Sequence, residues 1–258
     1  VYDDVALVKD STAHEPSPDK NISSIQASAD WSGGLLGYLM NADINPRILL
    51  GDLSQESSFA EVKVLVHLDT GHNSPGTLRL LKAAANRGQI VLNFLNNDGS
   101  VPSQVLFERQ PIAPNEVRPA DIPLEFYINE KGQLTTATAA SAKAVQIFSS
   151  TPIYTYDLSE RRDCEPILYW QKKIVGYRCQ NRVVQIGALL FEDYNSNAYA
   201  VQTAPQTRRQ FLKLLLASSQ VKSELSFTES ALQTVAFART DGQQLWITVK
   251  TGSLKAQE

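Results

Sequence analysis

The sequence lacks the features that mark several common classes of protein. No apolar run approaches the roughly 18 residues of a membrane-spanning helix, and no charged, then apolar, then small-residue leader opens the chain. The net charge is −3, and no Lys/Arg cluster provides the basic surface that nucleic-acid binding requires. The sequence therefore argues against a membrane protein and against a nucleic-acid-binding protein. It leaves the compartment undetermined.

Nucleotide-binding and serine-hydrolase motifs are also missing. Gly33, Gly34 and Gly37 match neither the Gly-x-Gly-x-x-Gly fingerprint nor a P-loop, which ends in Gly-Lys-Ser/Thr. Close packing of a helix on a sheet explains these glycines better. The chain has no Gly-x-Ser-x-Gly elbow. We predict no cofactor.

Cysteine is scarce, with Cys164 and Cys179 as its two occurrences. They fall on predicted strands 166–171 and 174–179, or just before them, joined by a turn at 172–173. This pairing puts the cysteines one diagonal step apart rather than opposite each other. The sequence favours two free thiols, and a disulfide remains the alternative.

The clearest pattern in the chain is a strand, helix and strand over residues 62–95. A dense apolar run predicts a parallel strand buried on both faces. Ser74 and Pro75 then predict a helix start, and Gly88 predicts its end. Leu78, Leu81 and Ala85 are expected on its apolar face. A second buried strand follows, so this unit predicts an α/β core.

The remaining segments predict an open, mostly parallel sheet with added antiparallel strands. Strands are predicted near 5–8 and 47–50, and a helix over 31–40. A proline-rich β insertion is expected at about 97–165, with a helix over 136–148. We predict an α/β domain over 1–222 and a small β element, a hairpin, over 223–258. Because the chain starts without Met, we expect a piece of a longer polypeptide.

Two loops at strand ends carry candidate ligand-binding side chains. His67, Asp69 and His72 follow the third strand and are weak candidates for a metal site, since carboxyl ends of parallel strands form the usual ligand-binding edge. No helical spacing brings them together, so a polar loop is the preferred interpretation and no metal is predicted.

The second loop follows the predicted last core strand. It contains Glu192, Asp193, Tyr194, Asn195 and Tyr199. Tyrosine rings and polar groups together are typical of sugar-binding surfaces, so these residues are candidates for carbohydrate or small-ligand binding.

Several segments resemble the non-catalytic C-terminal region of microbial β-galactosidases. They are VYDDVALV, RLLKAAANRGQIVLNF, ILYWQKKIVGYRCQNRVVQIGALLF, RRQFLKLLLASSQV and VAFARTDGQQLWITV. The resemblance implies a flavodoxin-like domain of the class I glutamine amidotransferase type, called the trimerisation domain, followed by a small β-domain. It further implies that the partner is a second copy of the chain or a glycosidase catalytic barrel.

Neither possible catalytic activity has its residues in the chain. A cysteine nucleophile after the fourth strand needs a later histidine, but no cysteine lies near residues 94–100 and all three histidines precede Cys164. The eightfold barrel of such glycosidases needs more alternation of strand and helix than the chain contains. We therefore expect a non-catalytic accessory and oligomerisation domain. The alternatives are a sugar-binding module and an enzyme with a site around His67, Asp69 and His72.

Overall fold

The computed structural model describes most of the chain between residues 4 and 251. The described residues are 4–9, 36, 39, 42, 44–50, 55–69, 74–95, 115–117, 122–149, 153–179, 183–188, 190, 205–219, 221, 232–238 and 245–251.

Strands dominate the described residues. They are β1 (Val5–Lys9), β2 (Arg47–Leu50), β3 (Val64–Asp69), β4 (Ile90–Leu95), β5 (Asn115–Val117), β6 (Ile122–Ile128), β7 (Leu134–Thr135), β8 (Lys143–Ser149), β9 (Ile153–Thr155), β10 (Cys164–Trp170), β11 (Lys173–Cys179), β12 (Val183–Ile186), β13 (Leu232–Ala238) and β14 (Leu245–Thr251). The helices with described bounds are α1 (Pro75–Asn86), α2 (Pro205–Ser218) and a 3-10 helix at Glu56–Phe59. Leu36 and Leu39, within the predicted helix 31–40, are also helical.

Ten strands form one mixed sheet in the order β2-β1-β3-β4-β12-β11-β10-β6-β7, with β8 also paired to β6. The first five are parallel to one another, and we call them the parallel half. The other five pair antiparallel and form the antiparallel half. The sheet is compatible with the predicted α/β class. The antiparallel half extends the same sheet, whereas β5 and β9 pair antiparallel in a separate two-stranded sheet.

Strands β1 and β3 of the parallel half are buried on both faces. Val5 and Val8 are fully buried, and β1 contributes alternate residues to the two apolar clusters on opposite sides of the sheet. Continuous apolar strands are the expected sequence for such a position. The predicted strand, helix and strand are therefore confirmed as β3, α1 and β4.

Local signals define α1 as predicted. The Ser74 hydroxyl accepts a hydrogen bond from the Thr77 backbone N–H at 3.1 Å, Pro75 is the first helical residue, and Gly88 adopts φ +81°. The buried face of α1 differs from the predicted face by a rotation of about one residue. Leu78 and Ala85, which were expected on it, are only partly buried. Its members are Thr77, Leu80, Leu81 and Ala84.

The predicted helix over 136–148 is wrong, because residues 143–149 form β8. This strand pairs along the whole of β6, with Ile147 opposite Leu124 and Val145 opposite Phe126. Val145 and Ile147 alternate with exposed Ala144 and Gln146, a period of two that suits a strand with one face on the core. Packing of that face outweighs the weak helical spacing.

The preference for two free thiols is also wrong, because Cys164 and Cys179 form a disulfide. Gln171 and Lys172 form the turn, both at positive φ, one residue earlier than predicted. Moving a two-residue turn by one position changes the pairing by two residues. Cys164 therefore lies directly opposite Cys179.

Helix α2 packs on the larger apolar cluster of the sheet. Phe211, Leu212, Leu215 and Leu216 are buried in the larger apolar cluster, and the rings of Phe211 and Phe126 lie 4.9 Å apart between centroids. The predicted tail hairpin is present as β13 and β14, a separate two-stranded sheet. The domain boundary near 222 stays a prediction. Within the described residues, no helix has the length and apolar character to cross a membrane.

Candidate functional site

A row of three buried polar side chains crosses the parallel half near its carboxyl edge. His67 on β3, Asn93 on β4 and Gln185 on β12 are neighbours in the strand register. His67 Nδ1 lies 2.8 Å from Asn93 Oδ1, and Asn93 Nδ2 donates to Gln185 Oε1 at 2.7 Å. Residues paired across neighbouring strands share a face of the sheet. The three therefore form one hydrogen-bonded row.

The order of donors and acceptors determines which His67 nitrogen carries a proton. Asn93 donates through Nδ2, so its Oδ1 is the acceptor and His67 Nδ1 is the donor in the pair. His67 and Asn93 are fully buried, and Gln185 is 5% exposed. Buried amides and imidazoles are stable when their hydrogen bonds are made. The row thus fixes the lateral alignment of three strands at the edge where α/β proteins bind ligands.

The structure describes two of the three candidate metal ligands, His67 and Asp69. His67 lies inside β3 rather than in the polar loop expected for it, and its Nδ1 is hydrogen-bonded to Asn93. Asp69 is the last residue of β3, whereas His72 lies outside the described residues. Across the described ranges, no group of three or more His, Cys, Asp or Glu could hold a metal ion.

The predicted ligand-binding loop lies outside the described residues. Its members are Glu192, Asp193, Tyr194, Asn195 and Tyr199. The strand before it is observed, since β12 ends at Ile186 and pairs parallel with β4. The position of the loop at the carboxyl edge and its sugar contacts both stay a prediction.

A cleft of about 830 Å³ opens at the opposite, amino-terminal edge of the parallel half. Its described lining comes from the C-terminal ends of α1 and α2, the starts of β3 and β4, and the turn between β6 and β7. Lys63, Arg87 and Arg178 line it, and no carboxylate does so among the described residues. Its volume falls in the range typical of small-ligand sites.

The charges of two of these cations are already balanced. Arg178 Nε donates to Glu165 at 2.7 Å, and Lys63 forms an ion pair with Asp4. The cleft therefore offers polar contacts without a strong positive field. Sequence patterns do not predict it, because its lining residues are far apart along the chain and meet only in the fold.

A cluster of tyrosines surrounds the disulfide in the antiparallel half. Tyr154, Tyr156 and Tyr177 are at most 6% exposed, and the rings of Tyr156 and Tyr177 meet edge to face with centroids 4.9 Å apart. Burial raises the pKa of Tyr177 to about 12, against a smaller opposing effect of Arg161. Because the rings are buried, they stabilise the hairpin and do not present a stacking surface to a sugar.

Comparisons with known proteins identify shared folds. The chain matches no protein-family model, and a comparison with curated proteins found no match. A β-galactosidase from Rahnella sp. R3 superposes with a TM-score of 0.62 at 11% identity, covering 97% of this chain and 36% of the enzyme. An α-L-fucosidase isoenzyme 2 from Paenibacillus thiaminolyticus superposes with a TM-score of 0.56 at 12% identity, covering 99% of this chain and 39% of the enzyme.

A shorter protein has a similar fold over almost its entire length. A ThuA-like protein from Bacteroides uniformis superposes with a TM-score of 0.52 at 10% identity, covering 83% of this chain and 90% of that protein. By contrast, the chain spans little more than a third of the two glycosidases. At these identities the similarity establishes fold and leaves activity open.

Proposed function

We propose that this chain is a non-catalytic accessory and oligomerisation domain of a glycoside hydrolase of the β-galactosidase type. The observation that carries the proposal is the correspondence of 97% of the chain with about a third of a β-galactosidase. An α-L-fucosidase contains a similar portion. A structural segment present in enzymes named for different sugars is better suited to support or assembly than to substrate choice.

The strand order supports the finer fold assignment, a flavodoxin-like domain of the class I glutamine amidotransferase type. Counted along the chain, the parallel strands stand in the order 2-1-3-4-5, which is the flavodoxin-like order. The similarity to a ThuA-like protein agrees with this assignment.

In this proposal the chain is not an enzyme by itself. Residues 96–114, which follow β4, contain neither cysteine nor histidine. His67, the one histidine among the described residues, is buried in β3 and hydrogen-bonded to Asn93. A cysteine-dependent reaction needs both a thiol and an imidazole at this edge.

The sheet edge at β2 supplies a contact surface for a second copy or a catalytic barrel. β2 is the last strand at that end of the described sheet. Ile48 and Leu50 are 54% and 40% exposed there. Open strand edges with apolar side chains favour association with another chain.

Light scattering over a dilution series tests the proposal. We expect a closed oligomer whose molar mass is stable on dilution, as symmetric assembly requires. Ile48→Glu should shift the oligomer towards monomer. Gln146→Glu, which introduces the same side chain at an exposed position of β8, should leave the molar mass unchanged. A monomer at every concentration would contradict the assembly role.

A carbohydrate or small-ligand binding module is the second candidate. It is supported by the parallel pairing of β4 with β12, because the carboxyl ends of such strands form the edge at which ligands bind. Titration with galactose and related sugars, followed by Trp and Tyr fluorescence, tests it. Saturable binding with a monomeric protein would favour this candidate over the first.

A further inference from the structure

The disulfide of the antiparallel half has an unequal environment at its two sulfurs. Cys179 is 8% exposed, whereas Cys164 is partly exposed at the open end of the β10–β11 hairpin. An external thiol therefore has its easier approach to the Cys164 sulfur. Attack there makes the Cys179 sulfur the leaving group.

A guanidinium group lies beside both sulfurs. Arg161 Nη2 is 3.6 Å from Cys164 Sγ and 4.0 Å from Cys179 Sγ. Asp163 also binds this guanidinium, with Arg161 Nε donating to its Oδ1 at 3.2 Å. The Cys164 N–H donates to the Arg161 carbonyl at 3.1 Å, which holds this turn against the hairpin.

The position of Arg161 is informative because a neutral disulfide gains little from a neighbouring positive charge. A thiolate gains much more, and cations next to cysteine favour its thiolate form. The charge of Arg161 also reaches the neighbouring tyrosine cluster: burial raises the pKa of Tyr177, and Arg161 partly opposes that rise. The guanidinium thus stabilises the state that forms when the disulfide opens.

We propose that Cys164–Cys179 is a thiol–disulfide exchange site, with a dithiol as its co-reactant and Arg161 as the residue that stabilises the leaving thiolate. This site is independent of the accessory role proposed above.

The reaction has two balanced steps. One thiolate of the dithiol attacks Cys164 Sγ, the protein S–S bond breaks, and Cys179 leaves as a thiolate beside Arg161. The second thiolate of the dithiol then attacks the reagent sulfur of the mixed disulfide. This step releases Cys164 and forms the cyclic disulfide of the reagent. Two electrons pass to the protein, and the protons of the two reagent thiols end on the cysteines or in solvent.

The test measures how fast dithiothreitol reduces the disulfide of the folded chain. Free thiols are alkylated at intervals, and the intact protein is analysed by mass spectrometry. Arg161→Gln should slow reduction by at least about fivefold, the effect of one unit charge at 4 Å in water. Arg162→Gln removes the same charge from the adjacent, exposed position. The disulfide of this variant should be reduced at the wild-type rate. Asp163→Asn, which removes the opposing carboxylate, should accelerate reduction.

The direction of the change separates this role from a purely structural one. If Arg161 only held the turn in place, its loss would loosen the hairpin and expose the sulfurs, so that reduction would become faster. Arg161→Lys, which retains the charge, should stay near the wild-type rate. Equal or faster reduction of Arg161→Gln would overturn the proposal. So would two alkylatable thiols in the air-oxidised protein.

Discussion

The two halves of the sheet are stabilised in different ways, although they share ten hydrogen-bonded strands. In the parallel half, β1 and β3 are buried on both faces. Three of its polar side chains form one row in which they are hydrogen-bonded to one another. In the antiparallel half, β6 alternates buried and partly exposed residues. That half adds a disulfide, buried tyrosines and the Arg178–Glu165 ion pair.

This difference follows from how each half is covered. A parallel sheet needs helices or loops on both faces and is stabilised mainly by apolar burial. An antiparallel sheet with one face towards solvent buries less apolar surface, so cross-strand pairs and covalent links contribute a larger share of its stability. Substitutions in the two halves should therefore have unequal effects.

The largest effect is expected from truncating an apolar side chain of the parallel half. Leu65→Ala removes a fully buried side chain from β3, and should lower the free energy of unfolding by about 3–5 kcal/mol. Leu134→Ala, at a partly buried position on β7, should cost about 1 kcal/mol or less. Urea unfolding measures both, and equal losses would contradict the difference in burial between β3 and β7.

Removal of the disulfide should cause a large loss of stability within the antiparallel half. The double variant Cys164→Ala/Cys179→Ala releases a loop closed over 15 residues, which should cost about 3 kcal/mol. The wild type unfolded in excess reductant provides the control and should match the variant. If the variant is as stable as the oxidised wild type, the bridge does not stabilise the hairpin.

Alkaline pH should weaken the antiparallel half through Tyr177. Burial raises the pKa of Tyr177 to about 12 in the folded chain, against about 10 when unfolded. The contribution of Tyr177 to the free energy of unfolding is therefore complete below pH 10. It falls by up to about 2 kcal/mol as the pH rises towards 12. Unfolding measured from pH 8 to 11.5 should show this fall, and Tyr177→Phe should flatten it. The more exposed Tyr127→Phe should leave most of the fall in place.

Breaking the polar row should destabilise the parallel half at its carboxyl edge. Asn93→Leu removes the partner of His67 Nδ1 and Gln185 Oε1, and should cost about 2 kcal/mol because buried polar groups lose their hydrogen bonds. Asn86→Leu, the same change at an exposed position of α1, should change stability by about 0.5 kcal/mol or less. Chemical denaturation distinguishes the two outcomes.

The smallest predicted effect concerns the start of α1. Ser74→Ala removes the hydrogen bond from the Thr77 N–H to the Ser74 hydroxyl, and should cost about 1 kcal/mol. Ser57→Ala lies on an exposed turn of the 3-10 helix and should be close to neutral. Thermal unfolding followed by circular dichroism measures the difference in stability between these two variants.

Local sequence signals predicted much of the parallel half. The apolar run of β3, Ser74 and Pro75 before α1 and Gly88 after it each act within a few residues, so their effect can be deduced without knowing the fold. The candidate site was less predictable. His67 was identified, but its partner Asn93 lies 26 residues away in sequence, and Gln185 a further 92.

The sequence by itself determined the buried strands β3 and β4 and where α1 begins and ends, because those properties depend on side-chain pattern and on capping within one turn. Only the tertiary structure decided that residues 143–149 form a strand, that Cys164 meets Cys179, and that His67, Asn93 and Gln185 form one row. Each of these depends on a pairing between separate strands. A shift of a single turn residue, as at Gln171 and Lys172, changes every partner along such a pair.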